Sequence, residues 1–121
     1  MILFLDDNPE RCKAFRAKIP HADIVNTAED CIKQLKTDTE WSMVFLDHDL
    51  GGEIHVDSLR EDCGMEVVRW VVQNEPFVRR FFIHSHNPPA ATAMSEALKQ
   101  ARYTVDVIPF RNLITMIEAN L

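Results

Sequence analysis

Acids and imidazoles close three apolar runs of this chain: Ile2–Leu5 ends on Asp6-Asp7, Met43–Leu46 on Asp47-His48-Asp49, and Phe81–Ile83 on His84-Ser85-His86-Asn87. Carboxylates brought together repel one another, and the repulsion is relieved by a cation, a shared proton or a buried partner. An all-oxygen donor set suits Mg²⁺ or Mn²⁺, and imidazoles beside it move protons near neutral pH. The chemistry such a set could perform is metal-assisted work on a phosphate. Asp6, Asp7 and Asp47, with Asp49 as a fourth candidate, would hold the ion. His84 or His86 would take a proton from water, and His48 would return one to a leaving oxygen.

These groups can act together only if the elements before them end side by side. Ile2 to Leu5 reads as a buried strand, and Asn8-Pro9-Glu10 as the N-cap and first turn of a helix reaching about Lys18, with Cys12, Phe15 and Ile19 inward. Asp23 to Val25 is a short strand, and Thr27 caps a helix with Ala28, Cys31, Ile32 and Leu35 at helical spacing. A third strand over about Ser42 to Leu46 precedes a helix over about Gly64 to Gln73, with Met65, Val68, Val71 and Val72 inward. A fourth strand over about Arg80 to Ile83 leads to a helix opened by Pro88-Pro89, whose stripe is Ala90, Ala93, Met94, Ala97, Leu98 and Ala101. Tyr103 to Ile108 is the last strand, and Leu113, Ile114 and Ile117 mark the last helix.

Short continuous apolar strands alternating with helices predict an α/β fold, a parallel sheet covered on both faces. The flavodoxin-like order 2-1-3-4-5 sets strands one and three together at the switch point, so Asp6, Asp7 and Asp47 become neighbours. The connection from Asp47 to Cys63, with Gly51-Gly52 near its start, is expected to form a lid over the strand ends.

Bulk properties narrow the functions. The 121 residues make one expected domain, 1–121, with 46% hydrophobic and 26% charged residues, an ordinary globular balance. A formal net charge of -6 argues against a general nucleic-acid binder, which needs surplus Lys and Arg. A small phosphorylated ligand or a single RNA end stays compatible with it, as does a protein partner. Met1 to Leu5 runs into acids without a basic flank, too short for a secretion signal or a membrane span. Cysteines 12, 31 and 63 form no CxxC pair, as suits reduced thiols in a cytoplasm.

The residues carry a family resemblance. LDDN after the first strand, an Asp after the third, a Gly opening the third helix and a hydroxyl, Ser85, after the fourth strand resemble the receiver domain of two-component signalling. More closely, LDHDLGG, CGMEVVRWV and IHSHNPPAATAM resemble a divergent branch, the cyclic-phosphate-processing receiver-like domains. That resemblance implies action on cyclic phosphates, including RNA ends. An ordinary receiver also carries a Lys before a Pro after the fifth strand to pair with the phosphoryl group. Here Ile108 precedes Pro109. Losing that cation and gaining His48, His84 and His86 favours hydrolysis or ligand binding over phosphorelay.

Simpler roles compete with these. Asp7 and Asn8 can do no more than cap a helix. Asp47 and Asp49 share a face if the chain stays extended, as do His84 and His86, with Ser85 opposite. Backbone N–H groups at Asn87 could hold a phosphate oxygen, and Arg11 and Arg111 are the nearest cations, each more often solvated. His21 and His55 read as loop residues, Trp41 and Trp70 as packing, and Cys63 as a thiol with no base adjacent in sequence. Two other acid-rich α/β families fit less well. A haloacid-dehalogenase-like site needs an acid where Asn8 stands, and Toprim sites lack a histidine pair. The expected function is therefore a metal-dependent phosphoesterase acting on or binding cyclic phosphates, with a non-catalytic receiver-like module as the alternative.

Overall fold

A computed structural model describes residues 1–37, 39–50 and 63–120. The chain alternates strictly: β1 (Ile2–Leu5), α1 (Pro9–Lys18), β2 (Asp23–Val25), α2 (Ala28–Leu35), β3 (Met43–Leu46), α3 (Gly64–Asn74), β4 (Phe81–Ile83), α4 (Pro88–Gln100), β5 (Val105–Val107) and α5 (Phe110–Asn120). All strand pairs are parallel, and the sheet order is β2-β1-β3-β4-β5. The flavodoxin-like expectation is met. The register pairs Leu5 with Leu46 and Leu46 with Ile83, so the acids and imidazoles that follow these residues leave the sheet at one edge.

Each face of the sheet has its own core. Leu3, Leu5, Val44, Leu46, Phe81 and Ile83 face α2, α3 and α4, whereas Ile2, Phe4, Phe45 and Phe82 face α1 and α5. That is the period-2 alternation of strands buried on both faces. Phe4 stacks on Phe15 with ring centroids 4.0 Å apart, and Phe45 on Phe82 at 4.9 Å. Trp41 is enclosed and bridges in parallel to Val78, consistent with packing.

Two helix stripes differ from the sequence expectation. On α3, Val67 is buried while Val72 is 40% exposed, and on α4, Ala91 is buried while Ala93 is exposed. Val67 and Val72 are equally apolar, as are Ala91 and Ala93, so tertiary packing against the sheet, rather than composition, chooses the inward positions. Strand β4 begins one residue later than expected, and β5 is shorter than expected at both ends. The lid expected over 47–63 falls mainly on residues 51–62, which, with His55, lie outside the described residues. Among the described residues no helix is long and apolar enough to cross a membrane.

Candidate metal and phosphate site

Asp6 is the most heavily engaged group at the strand ends, and it is fully buried. Its Oδ1 accepts from the Asn8 N–H at 2.9 Å. Arg11, in the first turn of α1, donates from Nε to Oδ2 at 2.6 Å and from Nη2 to Oδ1 at 3.0 Å. His84 Nε2 meets Oδ2 at 3.0 Å. Burial alone would raise the Asp6 pKa, but the His84 and Arg11 hydrogen bonds outweigh it and lower the carboxyl from 3.8 to about 2.

Asp47 is nearly as enclosed, 3% exposed, yet poorly compensated. Its Oδ1 accepts from the His48 N–H at 2.9 Å, and Oδ2 lies 3.5 Å from Arg11 Nη2. Burial, then the charge of Asp6, raise it from 3.8 to about 7, with Arg11 offsetting only part. Two buried carboxylates thus share one guanidinium, and Asp6 holds most of it. Asp7 completes the cluster: one carboxylate oxygen from each of Asp6, Asp7 and Asp47 lies within 4.8 Å of the others. This donor set fits a small divalent cation, being all hard oxygen, largely enclosed and short of positive charge.

Asp49 does not join that cluster. The chain bends at His48, so the alternation that would align Asp47 with Asp49 is broken. Asp49 Oδ1 instead meets His48 Nδ1 at 3.0 Å and accepts from Asn87 Nδ2 at 3.3 Å. His48 is enclosed, and its ring also contacts the Cys63 thiol. Burial would lower its pKa, but Cys63 and Asp49 raise it. Burial likewise raises the Cys63 thiol, and His48 with the backbone amides of Glu66 and Met65 pulls it below its ordinary value. The base that the sequence does not reveal for Cys63 therefore comes from the end of β3. Only the fold joins positions 48 and 63, because Gly64 opens α3 directly against Asp47. A Cβ there would lie 2.1 Å from the Asp47 carbonyl oxygen, and the Gly64 N–H donates to His48 O at 2.9 Å.

The two histidines after β4 have opposite environments. His84 is 1% exposed, its ring stacked on Phe4 at 5.0 Å and tilted against Phe110 at 6.0 Å. Burial lowers its pKa despite Asp6, so the ring is neutral and donates from Nε2 to Asp6. Nδ1 has no hydrogen-bond partner among the described residues. His86 is exposed. The shared face expected of the pair is lost because β4 ends at Ile83 and the chain bends at His86.

Asn87 is a helix cap more than an anion cradle. Its Oδ1 accepts from Ala90 N–H at 3.3 Å, its own N–H donates to Ser85 Oγ at 3.0 Å, and Pro88 and Pro89 have no N–H. Ala91 N–H is taken by Asn87 O. The first turn of α4 thus offers a phosphate no free donor, contrary to the sequence expectation. Arg111 and His21 are exposed. Arg11, which the sequence offers as a candidate cation for binding substrate, is paired with Asp6 and reaches Asp47. Its spacing from Asp6, one turn into a helix begun at Pro9, was the available signal.

An acid pair after β1, an acid after β3, a hydroxyl after β4 and the 2-1-3-4-5 sheet define a receiver-like α/β domain. The sequence profile of the family described as Cyclic-phosphate processing Receiver domain matches residues 1–100, and the chain belongs to that family. No curated protein matches the chain. Among solved structures, it resembles the Mn²⁺-bound form of response regulator Rcp1, with TM-score 0.59 and 14% identity over 98% of this chain and 88% of that one. It also resembles a fusion bearing a yeast Spc42 trimeric coiled-coil segment, with TM-score 0.57 and 18% identity over 98% of this chain and 75% of that one. At such identities the likeness is one of fold.

Proposed function

We propose that this domain is a metal-dependent phosphoesterase for cyclic phosphates, nucleotides or RNA ends carrying a 2′,3′-cyclic phosphate. The observation that carries the reading is the cluster of Asp6, Asp7 and Asp47 within 4.8 Å, with Asp47 left short of a counter-charge. The family description and the Mn²⁺ held by the Rcp1 neighbour support it. A bound Mg²⁺ or Mn²⁺ would supply charge neutralisation at phosphorus and a polarised water.

The chain's own residues divide the remaining work. His84, enclosed and hydrogen-bonded to Asp6, keeps that carboxylate ionised and aimed, and is not placed to take a proton from bulk water. His86, exposed beside it, is the imidazole free to exchange protons with a substrate. Ser85 can hold a phosphate oxygen through its hydroxyl, and Arg11 can pair with phosphate charge. His48 and Asn87 hold Asp49. Hydrolysis of a strained five-membered ring needs a proton acceptor and a proton donor in turn, and one residue can serve as both in successive steps.

The experiment is hydrolysis of a 2′,3′-cyclic mononucleotide and of cyclic-ended RNA with Mg²⁺ or Mn²⁺, in wild type and His86→Ala. Removing one acid or base typically lowers turnover by about 10²- to 10⁴-fold. No ring opening by wild type, or full activity in His86→Ala, overturns the mechanism. The enclosure of His48 and His84 favours one second reading, a non-catalytic module that binds a phosphorylated ligand or a partner protein. Metal-dependent binding of the cyclic nucleotide without turnover would select it.

A further inference from the structure

Arg11 stands where a cation is needed. Its guanidinium grips Asp6 through two nitrogens and reaches Asp47 with one of them, so a single side chain spans two of the three clustered carboxylates. A divalent ion held by the same carboxylates would lie close to the guanidinium, and like charges near one another in a poorly solvated site do not coexist cheaply. The side chain is able to leave. It lies at the rim of the sheet edge on the first turn of α1 and is 24% exposed. Asp6 would keep its hydrogen bonds from His84 and the Asn8 N–H.

We propose that Arg11 is the resident cation of the acid cluster, exchanged for the divalent ion on loading and thereby released to face the phosphate. Resting on the metal-site reading above, this makes metal and anion binding sequential. Before loading, the guanidinium is sealed on Asp6 and unavailable to an anion. After loading, it becomes a planar donor suited to phosphoryl oxygens.

The test is calorimetric titration of Mg²⁺ or Mn²⁺ into wild type and Arg11→Met. Arg11→Met should bind the ion at least about tenfold more tightly, because both the competing charge and the favourable metal-free pairing are gone. Equal or weaker binding means that Arg11 organises the ligands instead of competing, and overturns the exchange. A wild-type measurement covers the case of a variant that does not fold. The Arg11 Nε–H NMR signal, hydrogen-bonded to Asp6 before loading, should shift and exchange faster when Mg²⁺ is added. An unchanged signal in a protein shown to bind the ion refutes displacement. With Mg²⁺ present, inorganic phosphate should bind wild type at least about tenfold more tightly than Arg11→Met, and equal affinity removes the anion-facing half. If neither protein binds a divalent ion, the metal reading itself fails and the exchange falls with it, a result distinct from every outcome above.

Discussion

Replacing Asp47 with Asn should stabilise the metal-free protein, an unusual expectation for a buried acid at a functional site. Raised from 3.8 to about 7, the ionised Asp47 costs the folded chain about 4 kcal/mol at most. Asn keeps the shape, and its carbonyl oxygen can accept the His48 N–H that Oδ1 accepts now at 2.9 Å. What is lost is the 3.5 Å approach to Arg11, where an amide NH₂ would face another donor, at a cost of about 1 to 2 kcal/mol. The net gain is then about 2 to 3 kcal/mol, or roughly 10 °C in Tm for a domain of this size.

The pH dependence separates this from a generic packing effect. Between the unfolded and folded pKa values the native carboxyl binds a proton that the unfolded one has lost, so wild-type stability falls as pH rises from about 4 to about 7 and is flat above. Thermal melts with chelator should show the Asn variant ahead at about pH 8 and level with wild type at about pH 5. Excess Mg²⁺ should raise the wild-type Tm and leave the variant where it is, because mass action stabilises only a chain that binds the ion. A variant destabilised equally at both pH values would show that the Asp47 carboxylate is favourable in the metal-free fold, and the account of the cluster would be wrong.

Other perturbations follow from the same contacts. Asp6, depressed to about 2, contributes about 2 kcal/mol of stability that is complete above about pH 4 and lost as pH falls toward 2; acid titration of wild type against Asp6→Asn reads it as a transition missing in the variant. Gly64→Ala should cost more than about 3 kcal/mol, since the new Cβ meets the backbone of Asp47 and His48 rather than a side chain able to turn away. Where that variant still folds, its metal affinity should drop as well, because Asp47 must move; a melting temperature within a few degrees of wild type contradicts the packing argument. Small phosphodonors such as acetyl phosphate should leave no stable phosphate on Asp47, which is 3% exposed and faces no Lys after β5. Stoichiometric phosphate on that residue by mass spectrometry would restore the signalling alternative.

The sheet was legible because three buried strands are short continuous apolar runs, and acids directly after two of them place the switch point. Ile2–Leu5 and Met43–Leu46 do lie side by side in register, which is what brings Asp6 and Asp47 together. What stayed hidden depended on contacts the local pattern does not encode. Alternation suggests that His84 resembles His86 and Asp47 resembles Asp49, but the strands stop before these residues and bends at His48 and His86 undo the period. Val67 and Val72 are equally apolar, so only the sheet decides which is buried. The pairing of His48 with Cys63 crosses the connection between β3 and α3, and no spacing rule reaches it.

The placement of positive charge bears on how this domain differs from the receivers it resembles. A receiver sets a Lys after β5, across the crevice from its acids, where it waits for a phosphoryl group attached to the acid after β3. In this chain that position is Ile108, a partly buried side chain packed against the core cluster that holds Phe4, Phe45 and Leu113. The corresponding cation is Arg11, on the near side and already paired with Asp6. A charge on the far side can reward a covalent phosphate and so drive a switch. In the exchange proposed above, a charge on the near side would compete with the metal and, once displaced, would meet a ligand arriving from solvent. The proposed hydrolysis would also account for the histidines. A covalent aspartyl phosphate requires no imidazole, whereas the proposed opening of a phosphate ester by water would require a proton acceptor, and His86 is exposed two residues after the buried His84.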